Sequence, residues 1–221
     1  MNTDDSASEP QLFEYSAAEE KLNIWSHAIG FFLALAATPL LIIRASLAGD
    51  VWHIVSFSIF GVSMMVLYAA STLYHNAKIP KNRHRLRIFD HAAIYVLIAG
   101  TYTPFTLVAL NGTIGWVLFG LTWGLALAGI VLKLFFTGRF DKLSTILYVA
   151  MGWLVIFAIK PLWNSLDAAG LWWLFAGGAS YTIGAVLYSL PRLRFNHAIF
   201  HIFVLGGTIC HFFAVYNHLI P

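Results

Sequence analysis

The stretch HAIFHIFVLGGTICHFFAVY, residues 197–216, is long and apolar enough to cross a bilayer as one helix, since a span needs about 20 apolar residues. His197 and His201 lie four residues apart at its start, so both imidazoles project from one helix face with Cβ atoms about 5–6 Å apart. This spacing suits two ligands of one metal ion. Polar groups at membrane depth are costly and usually functional, but interfacial histidines bonded to their neighbours would show the same spacing. The pair alone leaves both interpretations open.

The composition assigns the whole chain to the integral membrane proteins. Of its 221 residues, 59% are hydrophobic and 10% are charged, and the mean hydropathy is +0.75. These values exclude a soluble domain. The single cysteine, Cys210, lies within an apolar stretch, which excludes a disulfide framework and a cysteine-rich metal cluster. A metal site in this chain would therefore use histidine and oxygen ligands.

Seven apolar stretches predict an all-α membrane protein, a seven-transmembrane-helix bundle. The stretches are too long for barrel strands and lack their alternation, which leaves helices as the spanning structure. The predicted spans are residues 24–43, 51–74, 88–110, 114–136, 143–161, 168–190 and 196–217. Residues 1–20 are polar and acidic, without the basic start or cleavage site of a signal peptide, and we expect a flexible cytoplasmic tail there. Residues 21–221 then form the transmembrane domain.

Lysine and arginine fall mainly on one side of the predicted spans. Eleven of the thirteen basic residues share the side of the N-terminus, and only Arg44 and Lys160 lie on the other. The eleven are Lys21, Lys78, Lys81, Arg83, Arg85, Arg87, Lys133, Arg139, Lys142, Arg192 and Arg194. The positive-inside rule then predicts a cytoplasmic N-terminus and an exterior C-terminus. Such residues can contact anionic lipid headgroups, and no pattern indicates a nucleic-acid partner.

This topology brings polar residues of four helices to one level near the cytoplasmic ends. The set comprises His75 at the end of span two, Asp90 at the start of span three, His197 and His201 at the start of span seven, and Glu19, Glu20, Asn23 and His27 around the start of span one. His75 would supply a third imidazole to the pair of span seven. Three protein ligands with one open position are typical of catalytic zinc. Imidazoles without thiolates favour zinc, although copper, iron and nickel also bind histidine.

Two oxygen-bearing residues accompany the imidazoles. Ser71 shares a helix face with His75 at i, i+4, although a serine also often bonds to its own helix. Asp90 is the acidic residue within a span, where an unpaired charge costs about 2.5–3.5 kcal/mol. It either pairs with Arg87 near the surface or points inward, where a carboxylate can orient metal ligands and accept protons.

The remaining polar residues of the spans have ordinary explanations. We expect Asn23 and His27 to cap a helix or meet headgroups rather than line a cavity. His91 adjoins Asp90 but points about 100° away around the helix, toward a neighbouring helix or the interface. His211 lies about 15 Å along the axis from His201, too far to bind the same metal. Pro104 predicts a kink in span three.

Taken together, four motifs identify a resemblance to the bacterial hemolysin III proteins, within the progestin and adipoQ receptor group that includes the adiponectin receptors. They are EExxNxxSH at 19–27, SxxxH at 71–75, FDHAAIYVLIAGTYTPF at 89–105, and HxxxH at 197–201 followed by LGGTICHF at 205–212. The resemblance implies seven helices, a cytoplasmic N-terminus and a zinc ion held by His75, His197 and His201. It also implies that Asp90 and Ser71 surround a water molecule at the metal.

The residues predict metal-dependent hydrolysis, and the resemblance implies a lipid amide or ester as the substrate, a bacterial inner membrane as the location and a contribution to membrane homeostasis. A wider grouping with alkaline ceramidases implies amide hydrolysis, with a lipid substrate entering laterally between helices. Two other function classes stay open: a receptor-like or regulatory protein with structural zinc, and a lytic or pore-forming protein. A pore predicts polar residues through the full membrane thickness, whereas polarity here is concentrated in one half. Neither the substrate nor the oligomeric state follows from the sequence.

Overall fold

The computed structural model describes residues 15–137 and 139–220, and the regular structure in these ranges is helical throughout, without strands. The α-helices are α1 (Ala17–Ala48), α2 (Val51–Asn76), α3 (Pro80–Pro104), α4 (Thr113–Phe136), α5 (Asp141–Gly152), α6 (Ile159–Ser165), α7 (Ala168–Tyr188) and α8 (Asn196–His218). Seven helical segments in these ranges are long and apolar enough to cross a membrane, with α5 and α6 sharing the fifth. The predicted all-α seven-helix bundle is confirmed.

Local sequence sets where the helices begin. The Ser16 hydroxyl accepts a hydrogen bond from the backbone N–H of Glu19 and caps α1. Asp50 caps α2 and Asp167 caps α7 in the same way. Pro80 occupies the first turn of α3, where its missing N–H leaves no intrahelical bond unmade.

Two helices begin earlier than the hydropathy pattern predicted. Because α1 starts at Ala17, residues 17–20 belong to the first helix rather than to the acidic tail. The rest of the predicted flexible tail, residues 1–14, lies outside the described residues. Helix α3 starts at Pro80, so the basic segment assigned to a loop forms its first turns and Asp90 lies well inside the helix.

Two spans depart from regular α-helix. At Pro104, where the sequence predicted a kink in span three, α3 ends and the chain forms a π-helical turn, Phe105–Ala109. The fifth span breaks after Gly152 and passes through a 3₁₀ turn into α6. Tyr102 bridges this break: its hydroxyl donates to the Gly152 carbonyl oxygen at 2.7 Å and accepts from the Val155 N–H at 2.8 Å. The bridge satisfies backbone groups that a bilayer could not.

The helices pack so that α1 contacts both α2 and α8, which closes the bundle. Helix α3 packs against α2, and α4 packs against α3. Helix α5 contacts both α3 and α7. The core includes Phe57, Phe60 and Tyr68 of α2, each at most 1% exposed. Large apolar side chains such as Phe135 and Trp172 are more than 70% exposed, as expected of a surface that faces lipid. We call the end where α1 and α8 begin and α2 ends the histidine end.

Candidate metal centre

Three buried imidazoles meet at the histidine end. The Nε2 atom of His197 lies 3.1 Å from His75 Nε2 and 3.0 Å from His201 Nε2. One ligand atom from each of the three lies within 4.8 Å of the others, and the residues are at most 5% exposed. The predicted convergence of these histidines is therefore present, and the three could bind a metal ion.

The local fold explains how two elements produce this convergence. His75 is in the last turn of α2, whereas His197 and His201 occupy the first two turns of α8 and share one face. Helix α8 begins abruptly because Phe195 adopts a left-handed conformation with φ 59°, which is rare for a bulky side chain. The Asn196 amide then donates to the Tyr188 carbonyl oxygen at 2.9 Å and ties the start of α8 to the end of α7.

The other ring nitrogen of His75 contacts a buried ion pair. His75 Nδ1 lies 2.7 Å from Glu20 Oε2, and the other carboxylate oxygen of Glu20 accepts a hydrogen bond from the Arg83 guanidinium. Both side chains of the pair are less than 10% exposed. Arg83, counted in the sequence as a topology-setting surface charge, is thus a buried partner of Glu20.

The other two histidines also direct Nδ1 toward α1 and the segment before it. His197 Nδ1 lies 3.2 Å from the Tyr15 hydroxyl, and the two rings stack at 4.7 Å. His201 Nδ1 lies 3.3 Å from both the Asn23 carbonyl oxygen and the Ser26 hydroxyl.

These contacts assign the tautomers and test whether a cation fits. A carboxylate and a carbonyl oxygen only accept hydrogen bonds, so Nδ1 of His75 and of His201 carries the proton. In the neutral ring, Nε2 of each of these two histidines then offers a lone pair and lies 3.0–3.1 Å from Nε2 of His197. Neutral imidazole is a common metal ligand. The donor set therefore fits a metal.

Asn23 and His27 differ from their predicted interfacial role. They are 0% and 3% exposed, and the His27 ring stacks on His201 at 3.5 Å with an interplanar angle of 6°. Asn23 Oδ1 and both ring nitrogens of His27 are buried and complete no hydrogen bond with the described residues. Helix packing between α1 and α8, which hydropathy does not report, turns these side chains inward.

Asp90 and Ser71 lie beside the histidines. Ser71 is one turn before His75 on α2, and the Asp90 carboxyl faces its hydroxyl. Asp90 is 6% exposed and lies within electrostatic range of His75 and of Arg87. Both the arginine and the imidazole considered from the sequence therefore interact electrostatically with this carboxylate.

A cavity of about 160 Å³ extends from the histidines into the bundle. Side chains of α3, α5, α7 and α8 form most of its wall, and most are apolar or aromatic. His197 and His201 line the same cavity as Asp90, and His211 lines it from farther along α8, outside the imidazole cluster as predicted. His91 also lines it, and its carbonyl oxygen accepts from Tyr148 on the neighbouring α5 at 2.9 Å.

Sequence reasoning missed the role of Glu20, Tyr15 and Arg83 around the histidines. The sequence did contain one signal for Glu20: an acidic pair directly before an apolar span has to find partners once it is buried. No comparable signal identified Tyr15 or Arg83, because their contacts depend on which helices are neighbours.

Comparison with known proteins agrees with the expected resemblance. A profile of the haemolysin-III related family matches residues 15–212, which include every residue of the metal centre. The Hemolysin-3 homolog of Bacillus subtilis (strain 168) is 51% identical over 201 residues, covering 91% of this chain and 94% of that protein. Hemolysin-3 of Bacillus cereus is 48% identical over 92% of this chain and 93% of its own length. The monocyte to macrophage differentiation factor of Homo sapiens is 25% identical over 95% of this chain and 86% of that protein. This chain therefore belongs to the haemolysin-III related family of multi-pass membrane proteins.

Proposed function

We propose that the protein is a zinc-dependent hydrolase of a lipid amide or ester bond that contributes to membrane homeostasis. The observation that carries the proposal is the convergence of three buried imidazoles, two of which, His197 and His201, line a largely apolar cavity. Three protein ligands leave one position of a tetrahedral ion open, which is the arrangement of catalytic rather than structural zinc.

The spacing of the donor atoms supports zinc as the metal. With Zn–N bonds of about 2.0–2.1 Å and tetrahedral angles, ligand nitrogens lie about 3.3 Å apart. The two Nε2 separations of 3.0 and 3.1 Å are close to this value. The described ligand set offers imidazoles without a thiolate, a combination that zinc accepts readily.

In this proposal the reaction divides between the metal and the residues of α2 and α3. His75, His197 and His201 would hold the zinc ion, which when bound would supply Lewis-acid chemistry for the carbonyl group and the attacking water. The Asp90 carboxylate accepts a proton from the attacking water and returns it to the leaving amine or alcohol as the carbonyl–heteroatom bond breaks. The Ser71 hydroxyl, which lies beside Asp90, donates to the oxygen of the reacting carbonyl.

The cavity supports a substrate with an acyl chain. Its walls are mainly apolar, and its polar groups near the histidine end suit an amide or ester headgroup. We further propose that the lipid enters laterally between helices and that the histidine end faces the cytoplasm of a bacterial inner membrane. Eleven of the thirteen basic residues belong to that side, which supports this orientation.

The test separates metal binding from turnover. Purified wild-type protein, Asp90→Asn, His75→Ala and the control Asp50→Asn are loaded with zinc and incubated with bacterial lipid extract and a fluorescent ceramide. We expect hydrolysis by wild type and Asp50→Asn, zinc without hydrolysis in Asp90→Asn, and loss of both in His75→Ala. Full activity of Asp90→Asn would refute its assigned role. Zinc-loaded wild type without turnover on either substrate would instead support structural zinc.

A further inference from the structure

We propose that helix α1 and Tyr15 just before it, which contribute no ligand to the metal centre, set its metal affinity by orienting all three imidazoles. The residues responsible are Tyr15, Glu19, Glu20, Asn23, Ser26 and His27, which we call the α1 collar. The inference rests on the metal-binding part of the proposed function and is independent of hydrolysis. It assigns a purpose to EExxNxxSH, the one motif that the proposed reaction leaves without a role.

Glu20 holds His75 with Nε2 facing the other ligands. Its carboxylate accepts the Nδ1 proton at 2.7 Å while the second oxygen accepts from Arg83. A carboxylate behind a ligand imidazole fixes the ring orientation and tautomer and raises the basicity of the ligand nitrogen. Since Arg83 occupies the other oxygen, the carboxylate cannot rotate away without breaking the buried ion pair.

His201 is held from two directions. Its Nδ1 proton is shared between the Asn23 carbonyl oxygen and the Ser26 hydroxyl, each at 3.3 Å, and Ser26 itself donates to that carbonyl at 3.1 Å. The parallel His27 ring at 3.5 Å covers one face of the imidazole. Together these contacts fix both the in-plane rotation and the tilt of the His201 ring.

His197 is held at its side chain and at its backbone. Tyr15 stacks on the ring and places its hydroxyl 3.2 Å from Nδ1. Helix α8 begins without a side-chain cap of its own, and the Glu19 carboxylate accepts the His197 N–H at 3.3 Å. An acidic group at a helix N-terminus satisfies an otherwise unpaired N–H and complements the helix dipole.

The spacing of EExxNxxSH places the residues that orient the imidazoles on one side of α1. Glu20, Asn23 and His27 lie at i, i+3 and i+7, and Glu19, Asn23 and Ser26 at i, i+4 and i+7, so all five line one side of α1. That side packs against α2 and α8, the two helices that provide the ligands. One helix therefore positions three ligands from two others.

The experiment measures zinc affinity by chelator competition, together with the visible spectrum of the Co²⁺-substituted protein, without any activity assay. The variants are Glu20→Gln, Tyr15→Phe and Ser26→Ala. Asp50→Asn is the control, because Asp50 makes a carboxylate–imidazole contact of the same length, 2.7 Å to His53 Nδ1, at the opposite end of the bundle. Asparagine also keeps the helix cap at this position.

The expected losses differ in size. His75 and Arg83 contact different oxygens of Glu20, and glutamine replaces one of these with an N–H₂ donor and removes the charge. Glu20→Gln therefore weakens zinc binding about 10–100-fold and alters the Co²⁺ spectrum. Tyr15→Phe removes one hydroxyl but keeps the stack, which weakens binding about two- to tenfold. Ser26→Ala has a smaller effect because the Asn23 carbonyl still accepts the proton. Asp50→Asn binds like wild type.

The possible negative results of this experiment have different meanings. Wild-type affinity and spectrum in both Glu20→Gln and Tyr15→Phe would overturn the inference. If Glu20→Gln does not fold, Tyr15→Phe still tests the inference, because this substitution removes a single oxygen atom. Wild-type protein that binds no metal would overturn the proposed metal centre itself, before the α1 collar is tested.

Discussion

Removing the Arg83 guanidinium is expected to cost far more stability than removing a neighbouring surface charge. Arg83 pairs with Glu20, and its Nη1 lies 3.3–3.4 Å from the carbonyl oxygens of Tyr74, His75 and Ala77 at the end of α2. Methionine keeps the apolar stem but leaves a buried carboxylate without its cation. Breaking one side of a buried ion pair typically costs about 3–5 kcal/mol.

The assay is unfolding in mixed detergent and sodium dodecyl sulfate micelles, followed by circular dichroism. The matched control is Arg85→Met, two residues away on α3 and exposed, where we expect a change within about 0.5 kcal/mol. In a Glu20→Gln background, Arg83→Met should cost less than in wild type, since the charge it neutralises is gone. Equal unfolding midpoints for Arg83→Met and Arg85→Met would refute the importance of the buried pair.

Three further predictions concern the packing and capping of the helices. Gly177→Ala should lower stability by about 1–3 kcal/mol, because a Cβ would lie 2.6–2.8 Å from an imidazole ring of α8. Gly178→Ala should be neutral or stabilising, because a Cβ at this position would meet no neighbouring atom within 4 Å. A lower melting temperature for Gly178→Ala than for Gly177→Ala would contradict this packing. Tyr102→Phe should cost about 1–3 kcal/mol, because the bridge across the break in the fifth span is lost and a backbone N–H is unpaired; an unchanged denaturation midpoint would show that the break needs no bridge. The Gly170 N–H, and with it His218, holds the pKa of the Asp167 carboxyl below its ordinary value. Its stabilising effect is therefore present above the unfolded pKa of about 3.9 and lost as the pH falls through the folded value. Melts from pH 3 to 7 should show Asp167→Asn converging with wild type at the acid end, and a constant gap would argue against the effect.

The fold could be predicted from hydropathy because each span is a long apolar run that must be helical in a bilayer. The errors occur where a helix continues into polar sequence. Glu19 and Glu20 at the start of α1 were predicted to belong to a flexible tail, and the basic start of α3 was predicted to be a loop. In both cases helical structure depends on caps and on tertiary partners, which hydropathy does not measure.

The ligands of the candidate site could be predicted, whereas the residues that surround them could not. His197 and His201 share a face at i, i+4, and the charge distribution put His75 at the same level. The contact between Glu20 and His75 joins residues 55 positions apart, and that between Tyr15 and His197 joins residues 182 apart. Such contacts depend on the order of helices around the bundle, and neither spacing nor composition encodes that order for a single chain.

The most direct test of the metal centre is the zinc content of the purified protein, measured by inductively coupled plasma mass spectrometry. Wild type is compared with His75→Ala, His197→Ala and His201→Ala, and with His84→Ala as an exposed control. We predict one zinc per chain in wild type and His84→Ala, and almost none in the other three. Wild-type zinc content in any of those three, or none in wild type purified without chelator, would contradict a site built from these histidines.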